Sequence, residues 1–405
     1  MGQKTDHIQG SVLVLGLIVT IALALLSLSY LGLVISEVNI TPRSYNSTAA
    51  MNLAEAGIEA AIVEFNSGGA DFTPQEGWSG TTEKTKIANL HTPDGKLVGE
   101  YFVRVTGTGT TNPKLEATGY VPNRTRIDRV ARKVRVVLTE KSLFNYGLFS
   151  GSITTPLNLS GTPRVDSYDS DHGSYDPSNP GHNGDVGSNN DINLSGNCRI
   201  YGNATPGPGH SVSVSGGASV VPPGSTAPAP SAETLPSIPA SYLSLAQQNN
   251  NNNVISQQGN YFSPGQYDLN VSNGNINLPS GTYYFTSITV SGNASMTAQN
   301  DVVIYVEGGA ITVTGTGLLN ASRVPSNLII YSTGLTVTLS GSADFYGAIY
   351  APGARTTITG NTGFYGSMIS DSFNITGNAN FHYDRSLKNK SVAFAGYSVS
   401  AWQEK

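Results

Sequence analysis

Residues 166–192 read DSYDSDHGSYDPSNPGHNGDVGSNNDI, the densest group of side chains in the chain that could do chemistry. Carboxylates set among Gly, Asn and Ser offer the hard oxygen donors that Ca²⁺ takes. Asp166, Asp169, Asp171 and Asp176 are the candidate ligands, with Asp185 and Asp191 further along. The D-x-x-D-x-D spacing has no Gly at the sixth position and no Glu at the twelfth, so it is not an EF-hand. An ordinary solvated loop is the competing reading. His172 and His182 raise Zn²⁺, but no Cys or supporting pattern accompanies them.

Hydrolytic or eliminative chemistry on polysaccharides would need carboxylates gathered on one face. Asp301, Glu307, Asp344, Asp371 and Asp384 are instead scattered, with Arg355, His382 and Arg385 among them. No pair has a spacing that would stack two carboxylates on neighbouring strands about 5 Å apart. HYDR at 382–385 has suitable residue types but is expected at the end of a repeat stack, where a polar cap belongs. There is no G-x-S-x-G elbow, H-E-x-x-H, P-loop or dinucleotide fingerprint. The chain reads as non-enzymatic, with no cofactor beyond the Ca²⁺ alternative.

Composition points the same way. Charged residues make up 12 % of the 405, against the roughly 25 % of ordinary soluble domains, and Gly is abundant at 46. That profile suits turn-rich β structure outside the cell. A net charge of −5 gives no general attraction to nucleic acid. Cys198 is the single cysteine, so no intrachain disulfide forms, and an inert thiol is its expected state. Arg124, Arg126, Arg129, Arg132, Lys133 and Arg135 form one basic cluster. No aromatic residues interleave it as a nucleic-acid platform requires, and a solvated strand face is the simpler reading.

The elements that must carry these residues follow from periodicity. Over 143–390 an aliphatic residue, Ser or Thr, and then Gly recur at Leu159, Leu194, Val214, Val290, Val313, Leu339, Ile358 and Ile375. Repeats of this size predict a solenoid in which each coil stacks its apolar residues on the next, here a right-handed parallel β-helix. In LTVTLSG, Leu335, Val337 and Leu339 are expected on one face. A Pro- and Asn-rich stretch, 221–253, interrupts the repeats as an excursion from the stack. Before it, 67–142 reads as a small antiparallel β domain with strands over 97–140, and 391–405 reads as a tail.

The first segment is 1–10, MGQKTDHIQG, followed by an uncharged apolar run, 11–36, long enough to cross a bilayer as a helix. Helical periodicity continues through NLAEAGIEAAI to residue 66, with Ala54, Ile58, Ala61, Ile62 and Phe65 on one face. Pro42 is expected to bend this helix.

A Gly-terminated leader, an apolar helix starting directly after it and that amphipathic extension resemble the type IV pilin superfamily, in particular the PilX-type minor pilin-like group. The resemblance covers about residues 1–66, and 97–140 more loosely. The later FYGAIYAPGA and FHYDRSL segments are similar to a solenoid-like domain that follows such N-termini. It implies cleavage by a prepilin peptidase between Gly10 and Ser11, and packing of the freed helix with other pilin-like subunits. It also implies a single-pass protein of the bacterial inner membrane, held in lipid by 11–36, with its C-terminal domain extracytoplasmic and brought to the cell surface or a pilus tip. Ser11 and Leu15 stand where major pilins carry Phe or Met and a Glu, which suits a minor or tip component rather than a bulk subunit. The expected role is pilus assembly or adhesion. The alternatives are an uncleaved, signal-anchored surface protein that binds carbohydrate and, further off, a β-helix polysaccharide lyase or hydrolase.

Overall fold

The computed structural model describes residues 6–66, 72, 76–259, 261, 267–314, 317–320, 322–341, 344–361 and 363–405. The chain divides into two compact units, Met1–Thr139 with Tyr397–Lys405, and Glu140–Gly396.

In the first unit one helix is assigned continuously over Asp6–Asn66, through Pro42. Its second half buries Ala50, Leu53, Ala54, Ile58, Ala61 and Phe65, an apolar stripe at three- and four-residue steps. The stripe packs on an antiparallel sheet of Glu83–His91, Leu97–Thr106, Lys114–Val121 and Val130–Glu140. Gly119 permits the contact, because a Cβ there would lie 1.9 Å from the Ala50 carbonyl oxygen. The segment expected as a tail contains a strand, Tyr397–Glu404, which extends this sheet beside Val130–Glu140. Its Tyr397 ring packs 4.7 Å from Phe65.

The transmembrane span expected over 11–36 is corrected here. Among the described residues no helix is long and apolar enough to cross a membrane. Leu23, Leu25, Leu26, Leu28 and Leu31 are exposed. The side chains of Gly10 and Ser11 lie outside the described residues. The single-pass inner-membrane location expected from that span is therefore not supported.

In the second unit all strand pairings described between Leu148 and Asp384 are parallel, in three stacks. The first stack explains the repeat. Val271, Val290, Val313, Leu339, Ile358, Ile375, Leu159, Leu194 and Val214 stand one above the next in register, and all but the terminal Val214, which is 49 % exposed, pack on the core. Every aliphatic residue of the repeat belongs to this column. Leu335 does not share its face: the strand begins at Thr336, and Leu335 is 70 % exposed.

The order of coils is not the order of the chain. The strand Gly363–Gly377 pairs with Leu157–Gly161, and Asn380–Asp384 pairs with Arg164–Tyr168. The early coils are thus stacked on the last coil of the late part, and no described pairing joins them to its first. HYDR at 382–385 is therefore not a terminal cap; it is covered by the coil that begins at Leu148.

The 221–253 excursion makes this order possible, by running back along the outside of the stack. Asn189 holds the Glu233 backbone at 2.8 Å through both its amide groups, Tyr350 donates to the Pro236 carbonyl at 2.5 Å, and Asn252 brackets the Tyr284 backbone. The segment covers an outward column of Tyr284, Tyr305, Tyr331 and Tyr350 with Ile238, Leu243 and Ala246. Burial pushes the Tyr305 phenol up to about 12.

The Ser/Thr-Gly step closes each turn. Gly360, Gly377 and Gly161 are in register at φ of +128°, +110° and +99°, and a Cβ on Gly161 would lie 2.5 Å from the Gly377 carbonyl oxygen. Gly161→Ala is expected to destabilise the protein by at least about 2 kcal/mol, since strain and overpacking add at one site. Urea unfolding followed by circular dichroism measures this, and an unchanged midpoint would show that the two parts do not meet at this glycine.

Candidate functional site

Two adjacent residues on three coils build the site. Phe345, Phe364 and Phe381 are in register and point inward, the first two stacked at 4.8 Å. By strand alternation their neighbours Tyr346, Tyr365 and His382 point outward. Tyr346 and Tyr365 lie face to face, centroids 4.3 Å and planes 6° apart, and His382 follows at 4.6 Å. Asp166 is next in register, on the far side of the junction between the late and early coils.

Asp166 is wholly buried and heavily engaged. Its Oδ1 lies 2.6 Å from His382 Nδ1, and Oδ2 accepts from the Tyr175 hydroxyl at 2.8 Å. Arg164 Nε approaches Oδ2 at 2.8 Å, an ion pair without hydrogen-bond alignment. Tyr175 lies over the His382 ring at 3.9 Å. Burial, and then its bond to Asp166, raise the Tyr175 phenol well above the usual tyrosine value. Arg164 also sits 4.7 Å above the Tyr201 ring.

A cleft of about 450 Å³ opens along this column, lined by Arg323, Asp344, Tyr346, Tyr365, Asn380 and His382, with Arg164 and the Ser174–Pro177 segment as a wall. Beside it the Tyr168 hydroxyl is buried and has no hydrogen-bond partner among the described residues. Burial first, then the nearby Asp384 carboxylate, raise that phenol strongly.

The candidate Ca²⁺ ligands are not gathered on one point. Asp169 pairs with Arg385 and His172, each at 3.2 Å. Asp171 gives its backbone N–H to Asp169, and Asp176 accepts from the Ser178 hydroxyl at 2.6 Å. Among the described residues no group of His, Cys, Asp and Glu could hold a metal ion. His182 packs 5.3 Å from Tyr201, while His172 pairs with Asp169. The acidic loop works instead as a clamp across the coil junction. Ser170 donates twice to buried Asp384, at 2.9 and 2.7 Å, and Arg385 reaches back to Asn183 and Asp169.

The other carboxylates considered for catalysis are also dispersed: Glu307 accepts from Tyr284, and Asp344 from the Gly363 N–H. Cys198 is buried, which pushes its thiol up to about 12. Much of the basic cluster of the first unit is engaged by carboxylates: Arg124 by Glu100, Arg126 by Asp128, and both Lys133 and Arg135 by Glu116. The aromatic column was missed in the sequence, although its signal is there. The pairs FY, FY and FH at 345, 364 and 381 recur at the repeat spacing.

A family described as a domain of unknown function, DUF7305, matches residues 223–390, less than half of the chain. No curated protein matches. Among solved structures, the competence-associated pilin ComZ from Thermus thermophilus is 13 % identical over 89 % of this chain and 97 % of its own, with a TM-score of 0.31. An ice-binding protein with antifreeze activity, LeIBP, from an Arctic yeast is 14 % identical over 59 % of this chain and 90 % of its own, with a TM-score of 0.28. Likenesses this slight carry no argument about the present chain.

Removing the buried carboxylate should expose how much rests on it. Asp166→Ala leaves His382 and Arg164 without their partner and is expected to cost about 3 kcal/mol. Denaturant unfolding checks this; a change within about 0.5 kcal/mol, the scale of ordinary surface substitutions, would contradict it.

In the first unit, the Lys133 ammonium and Arg135 guanidinium hold the Glu116 carboxyl below its ordinary value of 4.5. A depressed carboxylate stabilises the fold above its ordinary value, and that stability is lost as pH falls through the folded one. Glu116→Gln should therefore be less stable than the parent at pH 7, with the gap closing as pH falls below 4.5. Parallel melting curves would refute this if the gap stayed constant with pH.

Proposed function

We propose that the chain is a non-enzymatic, pilin-like subunit of the minor-pilin kind, serving pilus assembly or display of a solenoid head. The observation that carries the reading is the docking of the helix's second half, with the NLAEAGIEAAI segment, on an antiparallel sheet. Helix on sheet in one small unit, with a β-solenoid following in the chain, is the division of labour expected of an assembly module and a presented head. The dispersal of the carboxylates over separate partners supports a binding role over catalysis. Other pilin-like subunits are the partners this reading implies, and a prepilin peptidase acting between Gly10 and Ser11 is its processing enzyme.

The test is intact mass and fractionation of the native protein. A chain beginning at Ser11 and enriched in filaments sheared from the cell surface is the expected result. A chain retaining residues 1–10 and left out of the sheared fraction would overturn the reading.

A further inference from the structure

The cleft along the aromatic column is built for a ligand the assembly role does not need. Its formal charges balance, Arg164 and Arg323 against Asp166 and Asp344, so it has no bias toward a polyanion. Arg164 is already committed to buried Asp166, and His382 Nδ1 is committed to the same carboxylate. Asp344 Oδ1 accepts from the Gly363 N–H and Asn380 Oδ1 from the Arg164 N–H, which orients the Asp344 Oδ2 and Asn380 Nδ2 atoms of these planar groups, with the Arg323 guanidinium, as the donors and acceptors lining the space. Such fork-shaped groups match neighbouring hydroxyls on a ring, each of which both donates and accepts.

The phenols of Tyr346 and Tyr365 stand between them at the spacing of adjacent coils, and Tyr175 with Pro177 supplies an apolar wall. The orphaned Tyr168 hydroxyl adds a buried polar atom beside the cleft. A volume of about 450 Å³ falls within the range of small-ligand sites.

We propose that this cleft binds a neutral oligosaccharide, with Asp344, Arg323 and Asn380 reading ring hydroxyls and the tyrosine column setting the spacing. The clamp of Asp166, Tyr175 and His382 holds the wall in place; these are positioning residues. The inference is independent of filament assembly, since a head could bind sugar on any surface protein.

The experiment is titration of the full chain with cellobiose, maltose and lactose, with galacturonic acid disaccharide and inorganic phosphate as anionic probes, read by saturation-transfer NMR and calorimetry. At least one neutral disaccharide should saturate with a millimolar or tighter Kd. Asp344→Asn and Arg323→Gln should each weaken it at least about tenfold, one decade in Kd, with circular dichroism unchanged. Ile127→Ser, at a fully exposed residue of the other unit, should leave binding as it was. The proposal is overturned if no neutral disaccharide saturates, if both cleft variants bind like the parent, or if only the anionic probes bind.

Discussion

The second unit depends on one junction, where Ile375 of the last coil meets Leu159 of the first. Parallel strands cannot be joined by a tight turn, so every coil must travel round the core before it pairs with its neighbour. Here that constraint is met twice, by ordinary coils and by one long return. The early coils stack outward from the junction in one direction and the late coils in the other. The aliphatic column crosses the junction without a gap, so the core is continuous although the chain is not.

The outward faces follow from that path. One carries the tyrosine column and is sealed by the returning segment, whose Tyr350–Pro236 and Asn252–Tyr284 bonds fasten it at separate coils. Another carries Tyr346, Tyr365 and His382 and, among the described residues, is covered at His382 by Tyr175 of the acidic loop. The cleft exists because two segments far apart in the chain meet at Asp166 and His382.

Much of the core was legible in the sequence because a period survives any reordering of coils. Leu159, Leu194 and Val290 through Ile375 each pack where the aliphatic–Ser/Thr–Gly pattern places them, and Val214 keeps the register at the exposed end. The order of those coils was not legible, since every copy can pair with every other by the same backbone hydrogen bonds. The acidic loop offers its carboxylates as oxygen donors, while decisive partners lie far away in sequence: Arg385 for Asp169, His382 for Asp166 and Asp384 for Ser170. The helix after residue 50 followed from its apolar spacing. The apolar run before it predicts a membrane span from its length and lack of charge, and the described helix does not bear that reading.

The order of coils is the central claim, and disulfide trapping tests it most directly. Ser160 and Thr376 are register partners across the junction. The pair Ser160→Cys and Thr376→Cys should oxidise readily in the folded chain. Ser213 and Asn270 occupy the same column at its opposite ends and would be neighbours if the coils followed the chain. The pair Ser213→Cys and Asn270→Cys should remain reduced; a disulfide there, with none between 160 and 376, would contradict the account.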